Sequence, residues 1–265
     1  MAGKIALGSW KTSAWGRKDI ERILASLKTC PTPVLDRLVR YLASLSGTDK
    51  TLMLIQYASK LVEWYALRTK RLGLASATTK LATPIGDCRT VLRFSGLVFM
   101  LQYMQAIERS PLATPRLQWL ARAENLCNVL YYPLEHGYWL GAHRILPGIT
   151  SDKANTLSLW SCRAWAMYTV LHFVTLWEEY RQLGVRRRMI LVDKNQADPT
   201  HFQAQLEQCE RQRKQWGLAL LTNTAYFPLA IHWSLRHSRF PDWAVGVCGT
   251  IAAMAQLAQG WSSLA

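Results

Sequence analysis

Residues 48–71 read TDKTLMLIQYASKLVEWYALRTKR, and no proline or glycine interrupts them. Thr48 is a favourable N-cap, and Asp49 lies in the first turn, where the positive end of the helix dipole favours a carboxylate. Basic side chains occupy the last turn, namely Arg68, Lys70 and Arg71. Cations are favoured at that end of a helix. The stretch therefore predicts a long helix that begins at Thr48.

At 100° per residue, the apolar side chains of this helix collect on one side, over an arc of roughly 200°. The members of the arc are Met53, Leu54, Ile55, Tyr57, Ala58, Leu61, Val62, Trp64 and Tyr65. A helix on the surface of a soluble domain needs an apolar stripe only about 100° wide. Two interpretations therefore remain open: several neighbouring helices bury the arc, or it inserts into a membrane interface.

The membrane interpretation places the basic residues of this helix at lipid headgroups. These residues are Lys50, Lys60, Arg68, Lys70 and Arg71. Each cation near an anionic membrane surface contributes about 1 kcal/mol of attraction. The whole chain of 265 residues carries 32 lysines and arginines against 17 acidic residues. Its net charge of +15 indicates an anionic partner, which could be nucleic acid, an acidic protein or anionic lipid. On the membrane interpretation, an anionic phospholipid membrane is the partner we expect.

The remaining composition favours an interfacial protein in a reducing compartment. Twelve tryptophans and ten tyrosines suit a boundary between apolar and wet surroundings. The six cysteines show no C-x-x-C spacing and lie among apolar or helical residues, which favours neither a disulfide framework nor a zinc site. The first residues lack the apolar core of a signal peptide, so we expect any organelle address to be internal.

Strand-like alternation does not persist anywhere, so the sequence predicts an all-α bundle of about seven or eight membrane-associated amphipathic and apolar helices. A small, polar stretch at residues 72–84 predicts a break, followed by helices at 86–109 and from 151 to a stop at Gly184. We expect four regions: an N-terminal extension with a short helix (1–34), a membrane-remodelling region (35–183), a basic and polar linker (184–216) and a C-terminal apolar membrane segment (217–265).

The C-terminal segment contains an uncharged run, WAVGVCGTIAAMAQLAQGW, at residues 243–261. Trp243 and Trp261 at its ends would suit the two interfaces of a membrane. Gly246 and Gly249 would allow close packing of another helix. Glutamines within the run weaken a membrane-spanning interpretation, so spanning and core packing both remain open.

No recognisable catalytic or cofactor chemistry is present. The sequence contains neither a glycine-rich phosphate loop after a strand nor an H-E-x-x-H motif. His136 and His143 could share one helix face, but no third metal ligand is close in the sequence, so a structural role is favoured. Glu178 and Glu179 are adjacent and point to different sides of a helix. We therefore expect a non-enzymatic protein without catalytic residues, cofactor or bound metal.

Four segments, in this order, resemble the peroxin-11 family. The first joins Asp49-Lys50 to IQYA at residues 55–58 and WY at 64–65. The second is CRTVLRF at residues 88–94, and the third runs from NVLYY at 128–132 to the tryptophan at 139. The fourth is the glycine-containing apolar run near the C-terminus. A weak basic cluster before Phe94 and the polar stretch 184–216 depart from the family's usual pattern, which indicates a divergent branch of fungal type.

The resemblance implies a peroxisomal membrane protein that elongates the membrane before division and drives peroxisome proliferation and fission. It also implies a homo-oligomer and contact with the organelle-fission machinery. The helix at residues 48–71 would then act as a wedge in one leaflet, and wedge insertion favours curvature.

Two other classes of function remain as alternatives. A membrane channel or scaffold for metabolites fits the apolar helices but leaves the amphipathic helix without a role. A soluble all-α protein of basic charge is the other alternative, and nucleic acid would be its natural partner. The arginines, however, are spread along the chain rather than gathered in a basic groove, so we expect no nucleic-acid partner.

Overall fold

The computed structural model describes residues 21–22, 25–26, 32–192 and 198–264. Most of the predicted N-terminal extension lies outside the described residues. The chain divides into two compact units, residues 1–40 and residues 41–265. Within the first unit, the described part of one helix exposes Val34, Leu35, Leu38 and Val39.

All regular secondary structure of the described residues is helical, and they contain no strand, so the all-α prediction is confirmed. The helices are α1 (Thr32–Ala43), α2 (Leu45–Arg68), α3 (Leu72–Leu92), α4 (Gly96–Arg109), α5 (Pro115–Ala142), α6 (Ser151–Val192), α7 (Pro199–Ser234) and α8 (Asp242–Ser263), with one 3-10 turn at Arg93–Ser95. Large apolar side chains are exposed on every helix from α1 to α8. Within the described parts of the chain, no helix combines the length and the apolar character needed to cross a membrane.

The predicted start of α2 at Thr48 is wrong. The helix begins at Leu45, and the Ser44 side chain caps it by accepting a hydrogen bond from the backbone N–H of Gly47 at 3.0 Å. Gly47 is therefore inside the first turn rather than at the end of the preceding helix. A Cβ at this position would lie 2.0 Å from the carbonyl oxygen of Tyr41, so only glycine fits the tight corner between α1 and α2.

The predicted break at residues 72–84 is also wrong, because α3 runs through it. The hydroxyls of Thr78 and Thr83 donate to backbone carbonyls one turn earlier, at 3.0 Å each. Such bonds let small polar side chains satisfy themselves inside a helix. Pro84 lies within α3 as well. The helix predicted at 86–109 is in fact two helices, α3 and α4, joined by the 3-10 turn.

The predicted stop at Gly184 is the third error, since α6 continues to Val192. The polar stretch after it is mostly the helix α7, which also contains Pro228. An isolated glycine costs a helix only about 1 kcal/mol relative to alanine. Contacts between α6 and α7 outweigh that cost, for example the Trp216 indole N–H that donates to the carbonyl of Leu176 at 2.8 Å.

The core lies where α2, α7 and α8 meet. Its buried members are Met53, Tyr57, Ala225, Leu229, Val245, Ala252 and Ala253. The two glycines of α8 bring that helix close to α2. A Cβ on Gly249 would lie 2.2–2.6 Å from ring atoms of Tyr57, and one on Gly246 would lie 2.8 Å from a methyl carbon of Leu61. The apolar face of α2 therefore lies partly against α8.

The tryptophans at the ends of the apolar run also face rings of the same unit. Trp243 lies 6.4 Å from Trp64, and Trp261 lies 6.3 Å from Tyr41, measured between ring centroids. The opposite side of α8 remains open, because Val247, Ile251 and Met254 are exposed. One face of the run thus packs as a core helix, and the other is free.

We predict opposite effects for two glycine-to-alanine substitutions. Gly249→Ala should lower the free energy of unfolding by about 1–3 kcal/mol, because the new methyl group overpacks the Tyr57 ring. Gly184→Ala is the matched control: nothing lies within 4 Å of its Cβ position in α6, so it should raise stability by about 0.5–1 kcal/mol. Thermal unfolding in detergent, followed by circular dichroism, measures both. Equal effects of the two substitutions would contradict the close contact between α2 and α8.

Candidate functional site

Helix α2 lies between α3, which contacts its polar side, and α8, which covers part of its apolar face. On the α3 side, the hydroxyl of Thr79 donates to the Glu63 carboxylate at 2.7 Å. On the α8 side, Met53 and Tyr57 are buried, at 1% and 7% exposure. Leu54 and Leu61 are half-buried. The nine residues predicted to insert into a membrane therefore do not form one open surface.

A narrower apolar stripe remains exposed on α2. It consists of Ile55, Ala58, Val62 and Tyr65, which follow one another at spacings of three, four and three residues and so share a face. Ile55 and Val62 are each 41% exposed and Tyr65 is 53% exposed, while Ala58 is half-buried. We call these four residues the open stripe. The open stripe is narrower than the predicted apolar arc and is about as wide as the apolar face of an ordinary amphipathic helix.

Trp64 lies beside the open stripe, at the edge of the contact with α8. Its ring is 37% exposed and tilts against Trp243. The guanidinium carbon of Arg68 lies 5.4 Å from the centroid of the Trp64 ring, a distance that allows a cation–π contact. An indole flanked by a cation at the rim of an apolar surface is typical of residues at membrane interfaces.

The five predicted headgroup cations fall into two groups. Arg68, Lys70 and Arg71 are exposed at the C-terminal end of α2, where Lys70 adopts a left-handed conformation, φ 57°, that closes the helix. Lys50, in contrast, is paired with Asp49 at 2.9 Å. Lys60 lies about 140–160° around the helix from Ile55 and Val62. In this structure the open stripe is therefore accompanied by the terminal cations rather than by all five.

Asp49 has a structural partner that the sequence analysis did not reveal. The Arg89 guanidinium of α3 donates to its carboxylate at 2.9 Å, and a second N–H of Arg89 donates to the amide oxygen of Gln56 at 2.8 Å. Burial alone would raise the pKa of the Asp49 carboxyl, but Lys50 and Arg89 outweigh it and hold the pKa below its ordinary value of 3.8. The pair fixes α3 against α2.

A second buried ion pair joins the 3-10 turn to α5. Arg93 donates to both carboxylate oxygens of Glu135, at 2.9 and 2.5 Å, and the Tyr131 hydroxyl donates to the same carboxylate at 2.6 Å. Arg89 and Arg93 are the weak basic cluster before Phe94. Each is paired with a carboxylate inside the protein, so neither is available to an external partner.

The two histidines of α5 have structural surroundings. His136 lies 4.3 Å from the ring centroid of Phe94, and His143 stacks on Trp139 at 4.1 Å. The described residues contain no cluster of three or more potential metal ligands.

Large apolar side chains are exposed on each helix from α1 to α8, as is typical of a membrane-associated helical protein. The model of the family peroxisomal biogenesis factor 11 (PEX11) matches residues 35–261. The chain therefore belongs to this family, and it is a peroxisomal membrane protein. The family is a biogenesis family rather than a class of enzymes.

Individual relatives support the assignment over most of the chain. Peroxisomal membrane protein 11C of Homo sapiens is 28% identical over 241 residues, which cover 85% of this chain and 93% of that protein. The protein of the same name in Mus musculus is 26% identical over 245 residues. Peroxisomal membrane protein 11B of Arabidopsis thaliana is 32% identical over 106 residues, 40% of this chain. No solved structure matches the chain.

We predict that Arg89→Ala lowers the free energy of unfolding by about 3–5 kcal/mol, because it leaves the buried Asp49 carboxylate without its partner from α3. The double variant Asp49→Asn, Arg89→Met should lose much less.

The stabilisation by Asp49 is complete above its ordinary pKa and is lost as the pH falls through the depressed pKa of the folded state. The melting temperature should therefore fall less steeply in Asp49→Asn than in the wild-type protein as the pH is lowered. An unchanged acid profile would contradict the pairing.

Proposed function

We propose that this protein elongates the peroxisomal membrane and promotes peroxisome proliferation and fission by inserting the open stripe of α2 into one leaflet. The observation that supports the proposal is the exposure of Ile55, Val62 and Tyr65 beside the cationic end of the same helix. An amphipathic helix buries its apolar face about 5–10 Å into the boundary between headgroups and acyl chains. Expansion of one leaflet relative to the other favours curvature.

The contacts of α2 with its neighbouring helices hold the open stripe in a fixed position. Tyr57 and Met53 hold one side of the helix to α7 and α8, and the ion pair of Asp49 with Arg89 holds the other side to α3. An isolated peptide must overcome the unfavourable free energy of helix nucleation when it folds at the membrane surface. Helix α2 is already folded in the bundle and avoids this cost. The bundle can therefore hold α2 at a defined depth in the membrane.

Anionic phospholipid is the partner that this surface fits. Arg68, Lys70 and Arg71 are exposed at one end of the open stripe, and each contributes about 1 kcal/mol near an anionic surface. Homo-oligomerisation would concentrate the wedges on one area of membrane. Contact with the organelle-fission machinery would then couple the curved membrane to division.

Excess protein should produce more numerous or more elongated peroxisomes, and its loss should leave fewer and larger ones. The physical reason is that wedge density sets the curvature that one leaflet can support. Fluorescence imaging of a peroxisomal marker, with counts and lengths per cell, measures the effect. Unchanged number and shape in both directions would contradict the proposed function.

We predict that Val62→Asp weakens binding of the protein to anionic vesicles by about tenfold or more and abolishes tubulation. A carboxylate in the middle of the open stripe removes a burial of about 1.5–3 kcal/mol and adds an unfavourable charge. Leu67→Asp is the matched control, because Leu67 is also exposed, at 53%, but lies about 140–160° around α2 from Val62 and Tyr65. Vesicle flotation and electron microscopy measure both steps. If the two variants lose binding equally, net charge rather than the open stripe governs the interaction.

A further inference from the structure

A cavity of about 970 Å³ lies between α6 and α7, with Leu117 of α5 and two glutamines of α8 along its side. Its walls are rich in side-chain amides: Gln182, Gln208, Gln212, Gln215, Gln256 and Gln259 all line it. Aromatic rings of Tyr168, Trp216 and Tyr226 line it as well. The proposed membrane wedge makes no use of these groups.

One end of the cavity is cationic. Arg186 of α6 donates to the amide oxygens of Gln212 at 3.2 Å and Gln208 at 3.1 Å, and these bonds hold its guanidinium against the wall. Arg186 forms no ion pair with any described residue of the chain. Arg211 adds a second cation at this end and pairs with Glu207 at 3.1 Å. A fixed guanidinium without a carboxylate partner suits the oxygens of a phosphate group.

The rest of the cavity offers hydrogen bonds without further cations from arginine or lysine. Glu179 lies two turns from Arg186 on the same helix, about 10 Å along its axis. It forms no hydrogen bond or close ion pair with a described residue, and the His172 ring, which also lines the cavity, attracts its carboxylate. Deeper in, Asn223 is buried and donates to the carbonyl of Thr169 at 3.0 Å, and Gln256 donates to the Tyr226 hydroxyl at 2.6 Å. Amides and a carboxylate are suitable partners for hydroxyl groups.

We propose that this cavity binds a phosphorylated polyol, with the phosphate at Arg186 and the hydroxyl groups directed toward Glu179 and the glutamines. The faces of a polyol carry C–H groups that pack against the aromatic rings of the wall. A plain acyl chain fits less well, because it offers no anionic group to the Arg186 guanidinium and no hydrogen-bond donor to the Glu179 carboxylate. The same chemistry occurs in a free sugar or inositol phosphate and in the headgroup of a phosphoinositide lipid.

Titration calorimetry on the full-length protein in detergent tests the site, with inositol 1-phosphate and inorganic phosphate as free probes. Arg186→Gln should weaken inositol 1-phosphate binding by about tenfold or more, because a charged hydrogen-bond donor is lost. Arg187→Gln is the matched control: it removes the same charge from the next position, which is exposed and outside the cavity, and should change the affinity less than about twofold. Equal losses in the two variants would overturn the site in favour of general electrostatic attraction.

Glu179→Ala tests recognition of the polyol separately from recognition of the phosphate. It should weaken inositol 1-phosphate by about tenfold while leaving inorganic phosphate unchanged or slightly tighter, since only the polyol uses the carboxylate. Equal affinity of the wild-type protein for both probes would overturn the polyol assignment.

Flotation with phosphatidylcholine vesicles, with and without phosphatidylinositol phosphate, identifies the natural source. Arg186-dependent binding to the phosphoinositide vesicles assigns the site to a lipid headgroup, and binding of the free probe alone assigns it to a soluble compound. Both results support the proposal, and saturable binding to neither overturns it. Because the variants leave α2 intact, loss of this site would not affect the proposed role of the open stripe.

Discussion

The close contact between α2 and α8 governs what this molecule can present to a membrane. The ring of Tyr57 rests on Gly249, and Leu61 rests on Gly246, at distances that no larger residue in α8 would allow. This contact buries one side of the apolar arc and leaves Ile55, Val62 and Tyr65 as the open stripe. The depth, angle and width of the proposed wedge thus depend on a packing interaction rather than on the amphipathic pattern alone.

Helical periodicity predicted the apolar arc of α2 correctly but not its division. A pattern along one helix gives the direction of its apolar residues, whereas the identity of the neighbours depends on tertiary packing. The core interpretation holds for Met53 and Tyr57, whereas Ile55 and Val62 are exposed and no neighbouring helix buries them. The all-α class and the family were also predictable, because the order of four short segments resembles the family that matches residues 35–261. The membrane-inserting role of the stripe stays a prediction.

Helix ends and buried charges were the least predictable features. Gly184 and the stretch at 72–84 carry local signals for a break, but threonine hydroxyls bonded within the helix and contacts between helices override them. The position of Asp49 in the sequence suggests only a favourable interaction with the helix dipole. Nothing near it in the sequence indicates a pair with Arg89, forty positions away. Ion pairs between helices, and the cavity beside Arg186, depend on how whole helices pack against one another, which the local sequence pattern does not give.

The contact between α2 and α8 can form only late in synthesis of the chain. These helices are separated in the chain by α3 to α7, so α2 leaves the ribosome long before the glycines that contact Tyr57 and Leu61 are synthesised. Throughout that interval the whole apolar arc, including Met53, is uncovered and resembles a broad membrane-binding helix. A nascent chain of this kind needs either a protective chaperone or an early lipid surface. The arrival of α8 then narrows the arc to the stripe that the folded protein keeps.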